Sequence, residues 1–284
     1  MNSKFFKKNR DNLAERFDKN SLFVIFAGFA PFRRGDELYE FTPQRNFYYL
    51  TGLDNPNIIF SLYKDNNGKI TEKLFLERFD EVEAKWVGEV IQKEEAKEKS
   101  GIGEFGFIDE FESYASKILF DKMPTVCFDL ENRTFYAPLT PDVAFANKLK
   151  ERFPALTIKD VRSDFAWLRA VKSPEEIEEI KSAISITNEG ISSMMKNAFN
   201  EMYEYEAEAY FDFELKRRGA EYAFKSIVAS GKNATILHYV NNNTKSSNGD
   251  LLLCDVGAAH GFYSSDITRT FPISGKFSER QKQI

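Results

Sequence analysis

Hydrophobic and polar positions follow two rhythms over the first 160 residues, and each rhythm predicts a type of element. Leu22 to Ala27 is a continuous β-type run. Thr42-Pro43, then Gln44 to Thr51 and Gly52, carries the start and stop signals of a short helix. Ile58 to Tyr63 and Lys73 to Leu76 flank Asp65-Asn66-Asn67-Gly68, where Asn-Gly supplies the positive-φ residues of a tight turn, so a β-hairpin is expected. Amphipathic helices follow over Asp80 to Lys99, Asp109 to Leu119 and Pro141 to Arg152, with strands over Thr125 to Leu130 and Ala155 to Val161. The basic stretch Met1 to Arg10 reads as a solvated helix. The pattern predicts an α/β domain whose helices cover a mixed sheet.

From Asp160 to Lys172 this alternation stops, and Ser173-Pro174-Glu175-Glu176 opens a long helix with a capping box. Helices through about Ala198 and over Tyr203 to Arg218 precede β-type segments over Ser226 to Val240 and Leu251 to Ile273. An α-then-β order marks a second domain, which places the expected domains at 1–165 and 166–284. The acidic positions Glu201, Glu204, Glu206 and Glu208 read as a solvated helix face.

Composition adds exclusions. A length of 284 residues favours two domains, and 42% hydrophobic with 15% aromatic residues supplies their cores. A net charge of −5 lacks the basic excess that a nucleic-acid backbone requires, so no nucleic-acid partner is expected. The two cysteines, Cys127 and Cys254, lie in apolar runs and read as free buried thiols of a reducing compartment. The start of the chain has no signal-peptide pattern. The longest uncharged apolar stretch, Ser21 to Phe32, has 12 residues, short of the roughly 20 of a membrane span. By elimination the expected location is cytoplasmic, without a membrane partner.

The chemistry concentrates in Asp250 to Pro272, which reads as strand, tight turn and strand. With His260-Gly261 as the two central turn residues, Ala259 pairs with Phe262 and Asp255 falls directly opposite Asp266. Two like charges facing each other destabilise a sheet unless a proton is shared or a cation sits between them. Carboxylates are hard ligands suited to Mn²⁺, Mg²⁺ or Zn²⁺. On the residues alone a second reading stands beside this one, in which each aspartate accepts turn N–H groups. Judged on its own, His238, after an apolar run, reads first as a satisfied structural residue. His260 is expected to be exposed at the turn tip, and Arg269, pointing away from Asp266, to be structural.

The segment Asp255-Val-Gly, then Gly261-Phe-Tyr-Ser-Ser-Asp-Ile-Thr-Arg-Thr-Phe-Pro-Ile, resembles the first metal-ligand strands of the pita-bread metallopeptidases, in the Xaa-Pro aminopeptidase and prolidase branch. Ile227 to Tyr239 is similar to that branch's substrate-side segment, and Asn46-Phe-Tyr-Tyr-Leu-Thr-Gly52 to a motif of its N-terminal domain. The resemblance implies an N-terminal mixed-sheet α/β domain of the creatinase and aminopeptidase P type, followed by the first half of an α+β pita-bread domain. It makes Asp255 a ligand of one metal ion, Asp266 the bridging ligand of two, and His238 a hydrogen-bond donor beside the substrate.

The activity so implied is release of the N-terminal residue from peptides with proline at the second position. Two divalent ions, Mn²⁺ expected, would lower the pKa of a shared water and polarise the scissile carbonyl. Prolidase, acting on dipeptides, and a non-catalytic binding or oligomerisation module are the alternatives. The family pattern also requires one His and two Glu that have no positions up to Ile284, so the chain alone is expected to be inactive and to bind metal weakly. A homodimer or higher homo-oligomer through the N-terminal domain is the expected assembly.

Overall fold

The apolar run near residue 22 is buried on both of its faces, which is why it shows no polar alternation. The computed structural model describes residues 1–132 and 134–283, and the chain divides into two units, Met1–Val171 and Lys172–Ile284. The elements of the first unit are α1 (Ser3–Glu15), β1 (Ser21–Phe26), β2 (Phe32–Arg34), β3 (Glu37–Leu38), α2 (Arg45–Thr51), β4 (Ile59–Lys64), β5 (Ile70–Leu76), α3 (Glu81–Val87), α4 (Lys93–Ser100), β6 (Phe105–Phe107), α5 (Ile108–Lys122), β7 (Thr125–Phe128), α6 (Pro141–Arg152), β8 (Ile158–Asp160) and α7 (Arg162–Ala170).

Six strands form one mixed sheet in the order β6-β5-β4-β1-β7-β8. The β1–β4 and β4–β5 pairs are antiparallel, and β1–β7, β5–β6 and β7–β8 are parallel. Phe23 and Ile25 enter a cluster with residues of α1, α2, α4 and α7, while Leu22 and Val24 enter a second cluster with residues of α5 and α6. Helices therefore cover both faces of the sheet, as the pattern predicts.

Three local expectations are corrected. The N-terminal helix is not solvated: Asn2 caps it, and Phe5, Phe6, Asn9, Arg10, Leu13 and Ala14 form a buried face. The stretch Asp80 to Lys99 is two helices, α3 and α4, separated around Gly88 at φ +90°. The span from Asp160 to Lys172, where no element is expected, holds α7, which buries Phe165 in the core.

The Asn46 to Gly52 motif has a structural use at the carboxyl end of β7. Asp129 is 3% exposed, and its Oδ2 accepts hydrogen bonds from Gln44 Nε2 and Asn46 Nδ2, both at 2.6 Å. Arg169 in turn donates to Asn46 Oδ1 at 2.6 Å. Asp142, in the first turn of α6, is buried nearby at 2% exposure. Its burial, then the charge of Asp129, push the Asp142 carboxyl well above the usual range, against two backbone N–H groups that lower it. A raised folded-state pKa contributes stability that is fully present below the unfolded value near 3.8 and is lost as pH rises through the folded value. Asp142→Asn, neutral at every pH, is expected to flatten this loss in urea denaturation curves recorded from pH 4 upward. An unchanged pH slope would show that Asp142 does not carry the extra proton.

The second unit comprises α8 (Pro174–Asn197), α9 (Glu204–Arg217), β9 (Glu221–Tyr222), β10 (Ile227–Ser230), a 3₁₀ turn (Gly231–Thr235), β11 (Leu251–Val256), β12 (Ala258–His260), β13 (Tyr263–Ser264), β14 (Ile267–Pro272) and α10 (Glu279–Gln283). The capping box that opens α8 is formed, with Glu176 N–H donating to Ser173 Oγ and Ser173 N–H to Glu176 Oε2. Strands β10, β11 and β14 make an antiparallel sheet, and β9, β12 and β13 a second small one. Along β11 burial alternates: Leu252, Cys254 and Val256 enter a core with Met194, Phe211 and Leu215 of α8 and α9, and Leu251, Leu253 and Asp255 occupy the other face. Burial also pushes both thiols up, Cys127 to about 12 and Cys254 further. No helix among the described residues is long and apolar enough to cross a membrane.

Candidate metal centre

The hairpin that carries the two acids turns one residue later than its sequence suggests. Gly261 and Phe262, at φ +53° and +66°, are the central turn residues, and His260 pairs with Tyr263. The same register continues through β11 and β14, where Asp255 faces Thr268 and Val256 faces Ile267. Asp266 is therefore not directly opposite Asp255 but precedes its partner by two residues. A slip of one at the tip moves each partner by two, and side chains alternate with period two, so both acids stay on one face as diagonal neighbours.

Between the acids the hairpin bends. Gly257 allows the bend because a Cβ there would lie 2.1 Å from the Ser265 carbonyl oxygen. Buried Ser265 and Thr187 of α8 hold the site together: their hydroxyls are 2.6 Å apart, and the Ala258 N–H donates to Thr187 Oγ1 at 2.8 Å. Thr268 Oγ1 donates to Asp255 Oδ1 at 2.8 Å, which orients that carboxylate. Asp266 is raised above the usual carboxyl range, first by desolvation, then by the charge of Asp255 and by a hydrogen bond to it. The arrangement can hold one proton, or one cation, between two hard oxygen donors. Among the described residues no group of three or more His, Cys, Asp and Glu side chains is placed to hold a metal ion.

His238 stands apart from this pair in the chain. It lies exposed in the turn that follows the 3₁₀ segment, beyond the end of β10. The expected strand Ser226 to Val240 thus ends at Ser230. His260 is not free at its tip, since Nδ1 lies 2.8 Å from Glu179 Oε2 of α8, and Tyr263 OH donates to Glu176 Oε1 at 2.9 Å. Arg269 pairs with Cys254, on the face away from the acids, and donates to the Thr268 carbonyl.

One acid of the expected solvated helix face is buried. Glu204, the first residue of α9, is 1% exposed. Its Oε1 accepts from Ser230 N–H at 2.7 Å, Ser230 Oγ at 2.9 Å and Asn233 Nδ2 at 3.1 Å. Its Oε2 accepts from Tyr239 OH at 2.7 Å and Thr244 N–H at 2.9 Å. Burial raises the Glu204 carboxyl, but these donors outweigh it and leave the group below its ordinary value. Neighbouring Glu208 is half-buried, accepts from Asn242 Nδ2 at 2.8 Å and is raised, chiefly by desolvation. The donors come from residues 230 to 244, so no periodicity within α9 marks Glu204.

Comparisons with known proteins agree with this architecture. Residues 6–127 match the aminopeptidase P N-terminal domain and residues 178–284 match metallopeptidase family M24. A Bacillus anthracis structure assigned as an aminopeptidase P superposes with a TM-score of 0.96 at 46% identity, covering 100% of this chain and 68% of that one. Aminopeptidase P from Escherichia coli with the inhibitor Pro-Leu gives 0.90 at 29% identity, covering 100% and 65%. A Zn-substituted form of the E. coli protein in complex with product is among the similar structures. The Xaa-Pro aminopeptidase of Haemophilus influenzae is 33% identical over 98% of this chain and 63% of its own length. That of E. coli is 30% identical over 98% and 64%. The chain thus spans just under two thirds of these curated relatives.

An N-terminal α/β unit followed by a partial pita-bread unit defines the class as that of the M24 metallopeptidases. The chain belongs to the aminopeptidase P family.

Proposed function

We propose that this chain carries the N-terminal domain and the first metal-ligand strands of an exopeptidase that removes the N-terminal residue from peptides with proline in second place. The observation that carries the reading is the contact between Asp255 and Asp266 on one face of the hairpin, where desolvation and then the neighbouring Asp255 raise Asp266. Two divalent ions, Mn²⁺ expected, when bound supply a water of lowered pKa and an electrophile for the scissile carbonyl. In this reading Asp255 would help to hold one ion and Asp266 would help to hold both. Thr268 fixes the Asp255 carboxylate through its hydroxyl. His238 donates a hydrogen bond to the peptide from the exposed turn. Copies of the chain associate through the first unit, whose exposed Phe29, Phe32, Leu38 and Tyr39 offer apolar surface.

Mn²⁺ added to the chain is expected to broaden the amide NMR signals around Asp255, Asp266 and Thr268, weakly and reversibly, and Asp255→Asn or Asp266→Asn should remove the effect. Broadening centred elsewhere, or unaffected by both substitutions, would overturn the assignment. Because no group of three or more His, Cys, Asp and Glu side chains among the described residues is placed to hold a metal ion, no hydrolysis of a Xaa-Pro peptide is expected from the 284-residue chain.

A further inference from the structure

Residues 230 to 244 leave the sheet at the end of β10, project Ile236, Leu237 and His238 into solvent, and return. Leu237 is 90% exposed. Its base packs in a small apolar cluster, where Ala234, Tyr239 and Val240 meet Ile227, Ala229 and Leu253, but the Ile236-Leu237-His238 tip has no part in that cluster. Both sides of the base also meet one buried anion. Ser230 and Asn233 reach Glu204 from the outgoing side, and Tyr239 and Thr244 from the returning side. Asn233 Nδ2 also joins Tyr239 OH at 3.1 Å and Thr244 Oγ1 at 2.9 Å, so the two sides are tied across the base. On the returning side, Asn242 Oδ1 accepts from Val228 N–H, and its Nδ2 donates to the Ser226 carbonyl, which lays that side along the outer edge of β10.

We propose that Glu204 is a positioning residue for His238, its buried carboxylate clamping both sides of the excursion so that the imidazole and the Ile236-Leu237 tip keep one place. The proposal deepens the function above and rests on its placing of His238 beside the substrate. The chemistry requires an anion at this point. Each carboxylate oxygen accepts from a backbone N–H, Ser230 on Oε1 and Thr244 on Oε2. A backbone N–H cannot reverse its role, so the amide of a glutamine at 204 would set its NH₂ against one of the two donors whichever way it turned. Glutamine therefore does not substitute for glutamate here, despite its matching shape.

The test uses the whole chain, in which His238 and His260 are the only two histidines, so the imidazole region of an NMR spectrum contains two reporters. In Glu204→Gln, the His238 signal should shift and broaden while that of His260 stays in place. Amide exchange at Ser230 and Thr244 should accelerate roughly 10- to 100-fold, the factor that attends loss of a hydrogen bond to a charged group, while β11 keeps its protection. Tyr239→Phe removes one donor and keeps the ring, and should move the His238 signal in the same direction by less. An unmoved His238 signal in a folded Glu204→Gln protein overturns the proposal. So does an unmoved signal in Tyr239→Phe if Glu204→Gln unfolds, because the carboxylate then serves stability alone. These readouts need neither metal nor turnover, so they fail or succeed separately from the Mn²⁺ experiment on Asp255 and Asp266.

Discussion

Arg10→Ala is expected to destabilise the first unit by about 3–5 kcal/mol, the range for removing one partner of a buried ion pair. The Arg10 side chain is fully buried, and NH1 donates to the Leu50 carbonyl at 2.7 Å and the Ser100 carbonyl at 3.0 Å. Its Nε lies 3.1 Å from Glu72 Oε1, out of hydrogen-bonding alignment but close enough to neutralise the carboxylate. Truncation leaves Glu72, only 13% exposed, without its counter-charge, two carbonyls without a donor, and a void where the side chain stood. Since a domain is stable by only about 5–15 kcal/mol, a loss of this size unfolds a measurable fraction at moderate temperature. Both tryptophans, Trp86 and Trp167, lie in the first unit, so fluorescence in urea reports that unit alone. Arg10→Met combined with Glu72→Met should recover much of the loss, because paired hydrophobic replacement removes the stranded charge. Equal destabilisation by the single and double variants would contradict the electrostatic account.

Gly257→Ala is expected to damage the second unit. The added methyl would meet the Ser265 carbonyl at 2.1 Å and Phe224 Cε1 at 2.7 Å. Backbone cannot swing aside as a flexible side chain can, so the hairpin must open where it bends. Overpacking of this kind costs about 1–3 kcal/mol and sometimes more. The larger consequence concerns the acids, for Gly257 sits between them in the ladder, and opening the bend draws Asp266 away from Asp255. The variant should therefore lose the Mn²⁺-induced broadening even at temperatures where circular dichroism reports a folded chain. Retention of the broadening with native intensity would show that the bend is not what joins the pair.

Much of the fold was legible because its signals are local. Pro141 to Arg152 matches α6 at both ends, with Thr140 capping and Pro at the first helical position. The long α8 follows from its capping box, and the β4–β5 hairpin from Asp65 to Gly68, where Asp65 Oδ1 accepts the N–H groups of Asn67 and Lys69. The identity of the acid pair came from the resemblance of the Asp255 to Ile273 segment to known strands, and spacing alone left a rival reading open. What was not legible is charge that is buried by distant partners. Arg10 and Glu204 each look like surface in a helical wheel, and each is made interior by groups at least 26 positions away along the chain. The turn was misplaced for a related reason: Phe262 at positive φ is locally unfavourable, and the pairing of β11 with β14 imposes it.

The two deeply buried thiols have a use that follows from their distribution. Cys127 belongs to the first unit and Cys254 to the second, and burial raises both until almost no thiolate is present near neutral pH. Each sulfur meets an alkylating reagent only when its own unit opens. The chain thus carries an independent clock for the unfolding of each half, without the introduction of a single foreign residue.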